Sequence, residues 1–114
     1  MSKKYCLALD LKDDVKLIEE YEHHHKKIPA AIQKSIIDSG ITNMEIHRAG
    51  NRLFMIMEVG DDFSFENKSS MDNANTDVQA WEELMWKFQQ PLPFAKPGEK
   101  WMLMNKIFDL KENV

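Results

Sequence analysis

The feature that most constrains the fold is a pair of apolar segments separated by a short turn. Residues 41–47 and 53–59 both have the character of strands, and the connection between them contains Gly50 and Asn51. Two strands joined by a short connection that contains Gly and Asn are typical of a β-hairpin. The chain is therefore predicted to contain an antiparallel sheet, against which its remaining elements must pack.

A strand and a helix precede this hairpin. Large apolar residues at alternate positions of residues 5–11 predict a first strand with its larger side chains on one face. Asp13 and Asp14 occupy the cap and first turn of a helix, and apolar residues at helical spacing continue it to about Lys27. Pro29 disfavours helical geometry at the residue before it, so we expect the helix to kink or restart there and to end at Gly40.

A second helix and a last strand follow the hairpin. Apolar residues at spacings of three and four predict a helix from residue 76 to residue 88. The segment 63–65 is weakly helical, residues 69–75 resemble a loop, and the proline-containing residues 90–100 predict an irregular connection. Residues 101–110 predict the final strand.

This β-α-β-β-α-β order predicts an α+β, ferredoxin-like fold with a four-stranded antiparallel sheet and helices on one face. A chain of 114 residues is expected to form one domain over residues 1–114. Because the strands are rich in Met, Leu and Trp, the other sheet face is expected to meet a second subunit or to enclose a ligand pocket.

Charge and composition bound the partners and the compartment. A net charge of −4 argues against nucleic-acid or membrane-surface binding, because an acidic protein is not attracted to either polyanion. No apolar run approaches the roughly 18–20 residues of a membrane span, and too few apolar residues precede Asp10 for a signal peptide. The single cysteine, Cys6, excludes an intrachain disulfide and favours a reducing compartment. We therefore expect a cytoplasmic protein.

Three consecutive histidines, His23, His24 and His25, resemble a metal site. Successive helical residues are rotated by about 100°, so the three rings point in three directions and cannot share one ion. Glu19 and His23 have the i, i+4 spacing of helical metal ligands but supply only two. We therefore predict no metal site, and expect His23 and His24 to lie on a solvated helix face.

Tyr21 and His25 differ from these neighbours because their i, i+4 spacing stacks them on one helix face. They could be core residues with satisfied polar tips, or a site, since an imidazole with a pKa near 6.5 is the commonest general acid or base near neutral pH. Trp81 on the later helix is open to two similar interpretations. It either fills the core or offers a flat apolar surface on which a sugar could stack.

Several segments resemble the L-rhamnose mutarotase family, and the resemblance covers about residues 4–110. They are EEYEHHHKKIP (19–29), SGITNMEIH (39–47), NRLFMIMEV (51–59) and NTDVQAWEELM (75–85), and QQPLPFAKPGEKWMLMNKIFDL (89–110) looks like the longer C-terminal part of one branch. The resemblance implies a ferredoxin-like α+β fold that dimerises by packing sheets together into a dimeric α/β barrel. It also implies interconversion of the α and β anomers of a free sugar without a cofactor.

The family's site residues map onto five positions. Its Y-x-x-x-H motif matches Tyr21 and His25, which implies that His25 is the proton donor and Tyr21 a substrate contact. Its tandem tryptophans fall on Trp81 and Glu82, so only the first is kept. A further substrate-contacting tyrosine falls on Met44, which cannot hydrogen-bond a hydroxyl in the same way. These departures leave the sugar open between L-rhamnose and L-fucose, both 6-deoxyhexoses.

Mutarotation opens a cyclic hemiacetal, which requires an acid at the ring oxygen and a base at the anomeric hydroxyl. General acid–base groups accelerate a reaction by about 10²–10⁴-fold. Little more is needed here, because the uncatalysed reaction is already moderate in rate, so we expect neither a metal nor a cofactor. Our hypothesis assigns the acid to His25, an orienting or proton-exchanging role to Tyr21, and support of the sugar to Trp81. Glu82 is one option for the base.

Two other functions are compatible with the same pattern. Dimeric ferredoxin-like barrels include cofactor-independent monooxygenases and haem-handling proteins, and a coloured protein or oxygen uptake with an aromatic substrate would favour this class. The third option is a non-catalytic ligand-binding module. It would be favoured by a sugar that binds without faster anomer exchange.

Overall fold

A computed structural model describes residues 3–113 as one antiparallel sheet packed against four α-helices. The strands are β1 (Lys3–Leu11), β2 (Ile41–Ala49), β3 (Arg52–Val59), β4 (Gln89–Gln90) and β5 (Met102–Leu103). The helices are α1 (Val15–Lys26), α2 (Ala30–Asp38), α3 (Phe65–Asn73) and α4 (Thr76–Trp86), followed by a 3₁₀ turn at Leu110–Asn113. None of these helices is long and apolar enough to cross a membrane.

The strand order is β2-β3-β1-β4, with β5 also paired to β1. Strands β1 and β3 therefore occupy the centre, as the ferredoxin-like pattern predicts, and the α+β class is confirmed. The outer edge of β1 carries two short strands instead of one long one. Strand β4 pairs with Asp10 and Leu11, whereas β5 pairs with Leu7 and Ala8.

The predicted hairpin, first strand and helix break are all confirmed. Gly50 has a φ of 59°, a left-handed conformation that glycine adopts without strain, and this turn joins β2 to β3. The Asp14 side chain accepts a hydrogen bond from the Leu17 N–H and starts α1. The backbone is extended at Lys27, and α2 begins directly after Pro29.

The prediction of a loop over residues 69–75 was wrong, because α3 continues through most of this segment. The Ser64 hydroxyl accepts a hydrogen bond from the Asn67 N–H, and Lys68 pairs with Asp72 at i, i+4 spacing. The helix packs against α4. Since α3 is mostly polar, it has no apolar stripe by which periodicity could reveal it.

The prediction of a long last strand over residues 101–110 was also wrong, because only Met102–Leu103 pairs with the sheet. Strand β4 occupies the Asp10–Leu11 end of the β1 edge, and β5 runs from Ala8 toward the start of β1 at Lys3. In this register residues 108–110 lie beyond Lys3, so β1 offers them no partner. Five apolar side chains from Leu103 onward are 44–96% exposed. They are Leu103, Met104, Ile107, Phe108 and Leu110.

The core lies between one face of the sheet and the helices. Its buried residues form two clusters, which are Leu7, Ile41, Met55, Met57 and Val59, and Leu11, Tyr21, Leu53, Met85 and Phe88. Alternate residues of β1 and β3 therefore point inward, as the period of two predicts. The opposite face carries half-buried Cys6, Ala8, Phe54, Ile56 and Met102.

Candidate active site

A cavity of about 820 Å³ lies between the inner face of the sheet and the helices. Most of its wall is apolar, and the sheet and α2 supply this part through Leu7, Met44, Ile46, Met55, Met57, Ile32 and Ile36. A few polar and aromatic groups converge on it, notably Tyr21, His25, Trp81, Glu82 and Gln89. An apolar pocket with a few placed polar groups is the usual form of a small-molecule site.

Tyr21 lies on the inward stripe of α1 and is only 3% exposed. Its ring centroid is 6.3 Å from that of Phe88 and 4.3 Å from that of His25. Burial raises the pKa of the phenol to about 12, and a hydrogen bond from Gln89 opposes part of this rise. Tyr21 is therefore a neutral phenol at pH 7 and can donate a proton or a hydrogen bond.

His25 is held by a hydrogen bond between its Nδ1 atom and the backbone carbonyl oxygen of Tyr21, at 2.8 Å. Because a carbonyl oxygen can only accept, Nδ1 must carry a hydrogen, and the neutral ring has its lone pair at Nε2. Burial lowers the pKa of His25, the Tyr21 carbonyl opposes this, and the nearby His24 lowers it further. At neutral pH, Nε2 is therefore a proton acceptor.

The other predicted site residues line the same cavity. The Trp81 ring on α4 lies 5.6 Å from His25, centroid to centroid, in an edge-to-face arrangement at 63°. Glu82 is half-buried beside it, and Met44 extends from the inner face of β2, opposite Met57. The fold thus brings together all five residues predicted for the site, whose individual roles stay predictions.

The neighbouring histidines separate from this group. His23 is exposed, as predicted, but His24 is half-buried and lies with its ring 5.6 Å from that of Phe88 and 6.4 Å from that of Trp81. The expectation of a fully solvated His24 was therefore wrong, because the rings of Trp81 and Phe88 lie against it. Within residues 3–113, no three side chains of His, Cys, Asp or Glu are grouped so that they could hold a metal ion.

The cavity also contains polar residues that the sequence did not indicate. Lys68 and Asp72 reach it from α3, and their i, i+4 spacing is a local signal of this helix. Lys100 and Gln89 line it as well. Gln89 belongs to a strand of two residues, which is too short to show any periodicity, so nothing local marks it.

Fold and site together define an α+β protein of ferredoxin-like topology, in which a buried phenol and an imidazole face a cavity sized for a small molecule. The chain belongs to the L-rhamnose mutarotase family, whose model matches residues 4–110. It is therefore an enzyme of the carbohydrate isomerase class.

Individual relatives agree with this placement. The chain is 42% identical over 114 residues to an L-fucose mutarotase of Xanthomonas campestris pv. campestris, covering 98% of this chain and 91% of the relative. It is 35% identical to a UPF0734 protein of Dictyostelium discoideum, covering 95% and 90%. In structure it is similar to the crystal structure of an L-rhamnose mutarotase from Formosa agariphila, with a TM-score of 0.69, 18% identity, and 95% and 98% coverage. At that identity the structural match supports the fold alone.

Proposed function

We propose that this protein interconverts the α and β anomers of a 6-deoxyhexose, L-rhamnose or L-fucose, by acid–base ring opening without a cofactor. The observation that carries the proposal is the Tyr21–His25 pair, buried against a cavity, with Nδ1 of His25 engaged and Nε2 left to exchange a proton. The names of the matched family and of the relative from Xanthomonas support these two sugars as substrates.

The character of the cavity wall supports a 6-deoxy sugar. Such a sugar has a methyl group where other hexoses have a hydroxymethyl group, and it can bury this methyl against Met44, Met55 and Met57 at no hydrogen-bonding cost. The indole of Trp81 offers a flat apolar surface for the C–H face of the ring. A volume of about 820 Å³ is ample for a monosaccharide.

Proton transfer follows from the protonation states of the pair. In the opening step, neutral Nε2 of His25 takes the proton of the anomeric hydroxyl, the bond between C1 and the ring oxygen breaks, and the ring oxygen takes the proton of the Tyr21 hydroxyl. After rotation about C1–C2, the carbonyl carbon is attacked on its other face. The phenolate then recovers its proton and imidazolium returns one to the anomeric oxygen. This assignment differs from the sequence-based hypothesis, in which His25 is the acid at the ring oxygen. Here Tyr21 is the acid and His25 the base of the opening step, so Glu82 is not required as a base.

Saturation-transfer NMR on L-rhamnose and L-fucose tests this proposal, because it measures anomer exchange at equilibrium. We expect wild-type protein to accelerate exchange of at least one sugar, and His25→Ala to lose about 10²–10⁴-fold of that acceleration. The matched control is His23→Ala, which removes an exposed imidazole from the same turn. Equal rates for wild type and His25→Ala would refute the assignment.

A homodimer forms part of the proposal, with the outer sheet face as its interface. This face presents half-buried apolar residues, and the exposed apolar residues of the C-terminal segment extend from its edge. A contiguous apolar surface of this kind is typical of an interface. We expect light scattering to give twice the mass of one chain, and Phe54→Lys to give a monomer. Ile37→Lys, on an exposed position of α2, should leave the mass unchanged.

The proposal also places the protein in the cytoplasm, where the lone thiol of Cys6 would stay reduced. Cell fractionation followed by immunodetection tests this location. Recovery of the protein from an oxidising compartment would contradict it.

A further inference from the structure

Gln89 is a buried amide that lines the cavity. It lies on β4 opposite Leu11, on the inner face of the sheet, and it is 5% exposed. Its Oε1 atom is buried and has no hydrogen-bond partner within residues 3–113. Buried carbonyl oxygens in native proteins are almost always paired, because an unpaired one loses its solvation without compensation. This orphaned oxygen therefore calls for a functional explanation.

The other end of the same amide is engaged. The N–H of the Gln89 side chain donates to the oxygen of Tyr21, the phenol of the proton-exchanging pair. In this orientation the amide nitrogen faces Tyr21, and Oε1 does not share the contact. Most of the cavity wall is apolar, and no side chain within residues 3–113 donates to Oε1. A hydroxyl of a ligand bound in the cavity would supply the missing donor.

We propose that Gln89 is a substrate-binding residue, whose Oε1 accepts a hydrogen bond from one ring hydroxyl of the sugar while its amide nitrogen holds the Tyr21 hydroxyl in position. The inference rests on the proposed anomer exchange and adds a specificity contact to it. A 6-deoxyhexose carries hydroxyl donors at C2, C3 and C4, any of which could satisfy a buried acceptor. A site built around such an acceptor discriminates strongly against an analogue that lacks the donor.

A purely structural role for Gln89 makes opposite predictions. If the amide only stabilised the core, its loss would lower stability and affect all sugars equally. If Oε1 binds a ligand hydroxyl, Gln89→Met, which keeps the length of the side chain, removes an unsatisfied buried oxygen. This gain offsets the lost contact to Tyr21, so the melting temperature should change little. The same change should lower kcat/KM for the intact sugar by about tenfold to a hundredfold.

Deoxy sugars locate the contact. Saturation-transfer NMR measures anomer exchange of L-fucose, L-rhamnose and their 2-, 3- and 4-deoxy analogues by wild type and Gln89→Met. The matched control is Gln90→Met, which changes a residue on the opposite face of β4. We expect Gln89→Met to be impaired with the intact sugars and to carry a smaller penalty with one deoxy analogue, as in a double-mutant cycle. The remaining penalty, common to all the sugars, reports the lost contact to Tyr21. Gln90→Met should resemble wild type throughout. Gln89→Leu serves the same purpose if the Met variant does not fold.

The outcomes separate this inference from the proposed function. Wild-type rates in Gln89→Met, or an equal penalty with every deoxy analogue, would overturn the contact and leave anomer exchange intact. Failure of wild type to accelerate exchange of either sugar would instead overturn the proposed function. In that case calorimetry of the same sugars still decides the contact. Weaker binding to Gln89→Met than to wild type supports it, and equal or absent binding refutes it.

Discussion

Replacing Tyr21 with Phe separates the chemistry of the phenol from the packing of its ring. The ring is nearly fully buried and lies against Phe88 and His25, so Phe keeps these contacts. Only the hydroxyl and its hydrogen bond from Gln89 are lost. At pH 7 we expect anomer exchange to fall by about 10²–10⁴-fold, with a change in unfolding free energy of only about 1 kcal/mol.

The raised pKa of Tyr21 adds a second, independent readout. The folded-state pKa is about 12, against an ordinary value of 10, so the unfolded chain ionises first as pH rises. Stability from the neutral phenol is therefore complete below pH 10 and is lost as pH rises through 12. At pH 11 the loss in wild type is roughly 1.4 kcal/mol, and well above pH 12 it approaches roughly 3 kcal/mol.

Urea unfolding at pH 8 and pH 11 measures this effect. Other groups titrate in both wild type and Tyr21→Phe. The informative quantity is therefore the difference between the two proteins in the unfolding free energy that each loses from pH 8 to pH 11. Tyr21→Phe should lose roughly 1.4 kcal/mol less stability than wild type between the two pH values. Equal losses would refute burial of a neutral phenol, and undiminished anomer exchange in the variant would refute its part in proton transfer.

Three further expectations follow from the same geometry. After subtraction of the uncatalysed rate, kcat/KM should rise with pH through a pKa below 6.5 and stay level at neutral pH. The reason is that burial lowers the pKa of His25 and its neutral form is the base. A decline of kcat/KM over that pH range would contradict the base role. Trp81→Ala should raise the KM for the sugar by about tenfold while leaving the pH dependence of kcat in place, as measured by progress curves at several concentrations. Leu53→Ala should lower the unfolding free energy by about 2–5 kcal/mol in urea titrations, because this core side chain is 2% exposed; a loss under 1 kcal/mol would contradict its place in the core.

Local patterns were sufficient where a signal lies within a few residues. The hairpin turn at Gly50, the helix start at Asp14 and the break at Pro29 all depend on the intrinsic conformations of short segments. Their positions therefore agreed with the structure. Helix α3 was not predicted, because the Ser64 cap and the Lys68–Asp72 pair stabilise it and it has no apolar stripe.

The last strand failed for a different reason. Residues 101–110 have the apolarity of a strand, yet pairing requires a partner strand, and in the register of β5 residues 108–110 lie beyond the start of β1 at Lys3. The register, and with it the length of the pairing, is decided by the path of the whole chain. Composition therefore predicted an apolar C-terminal segment correctly, but not that most of it would remain exposed.

The sequence by itself determined that Tyr21 and His25 share a helix face, because i, i+4 spacing brings side chains together in any α-helix. The tertiary structure alone decided that this face would be buried beside a cavity, with Trp81 from a distant helix and Gln89 from a strand of two residues. Burial in turn shifts the pKa values of both groups away from their ordinary ranges. Spacing is a local property of the helix, whereas desolvation depends on every element that packs over it.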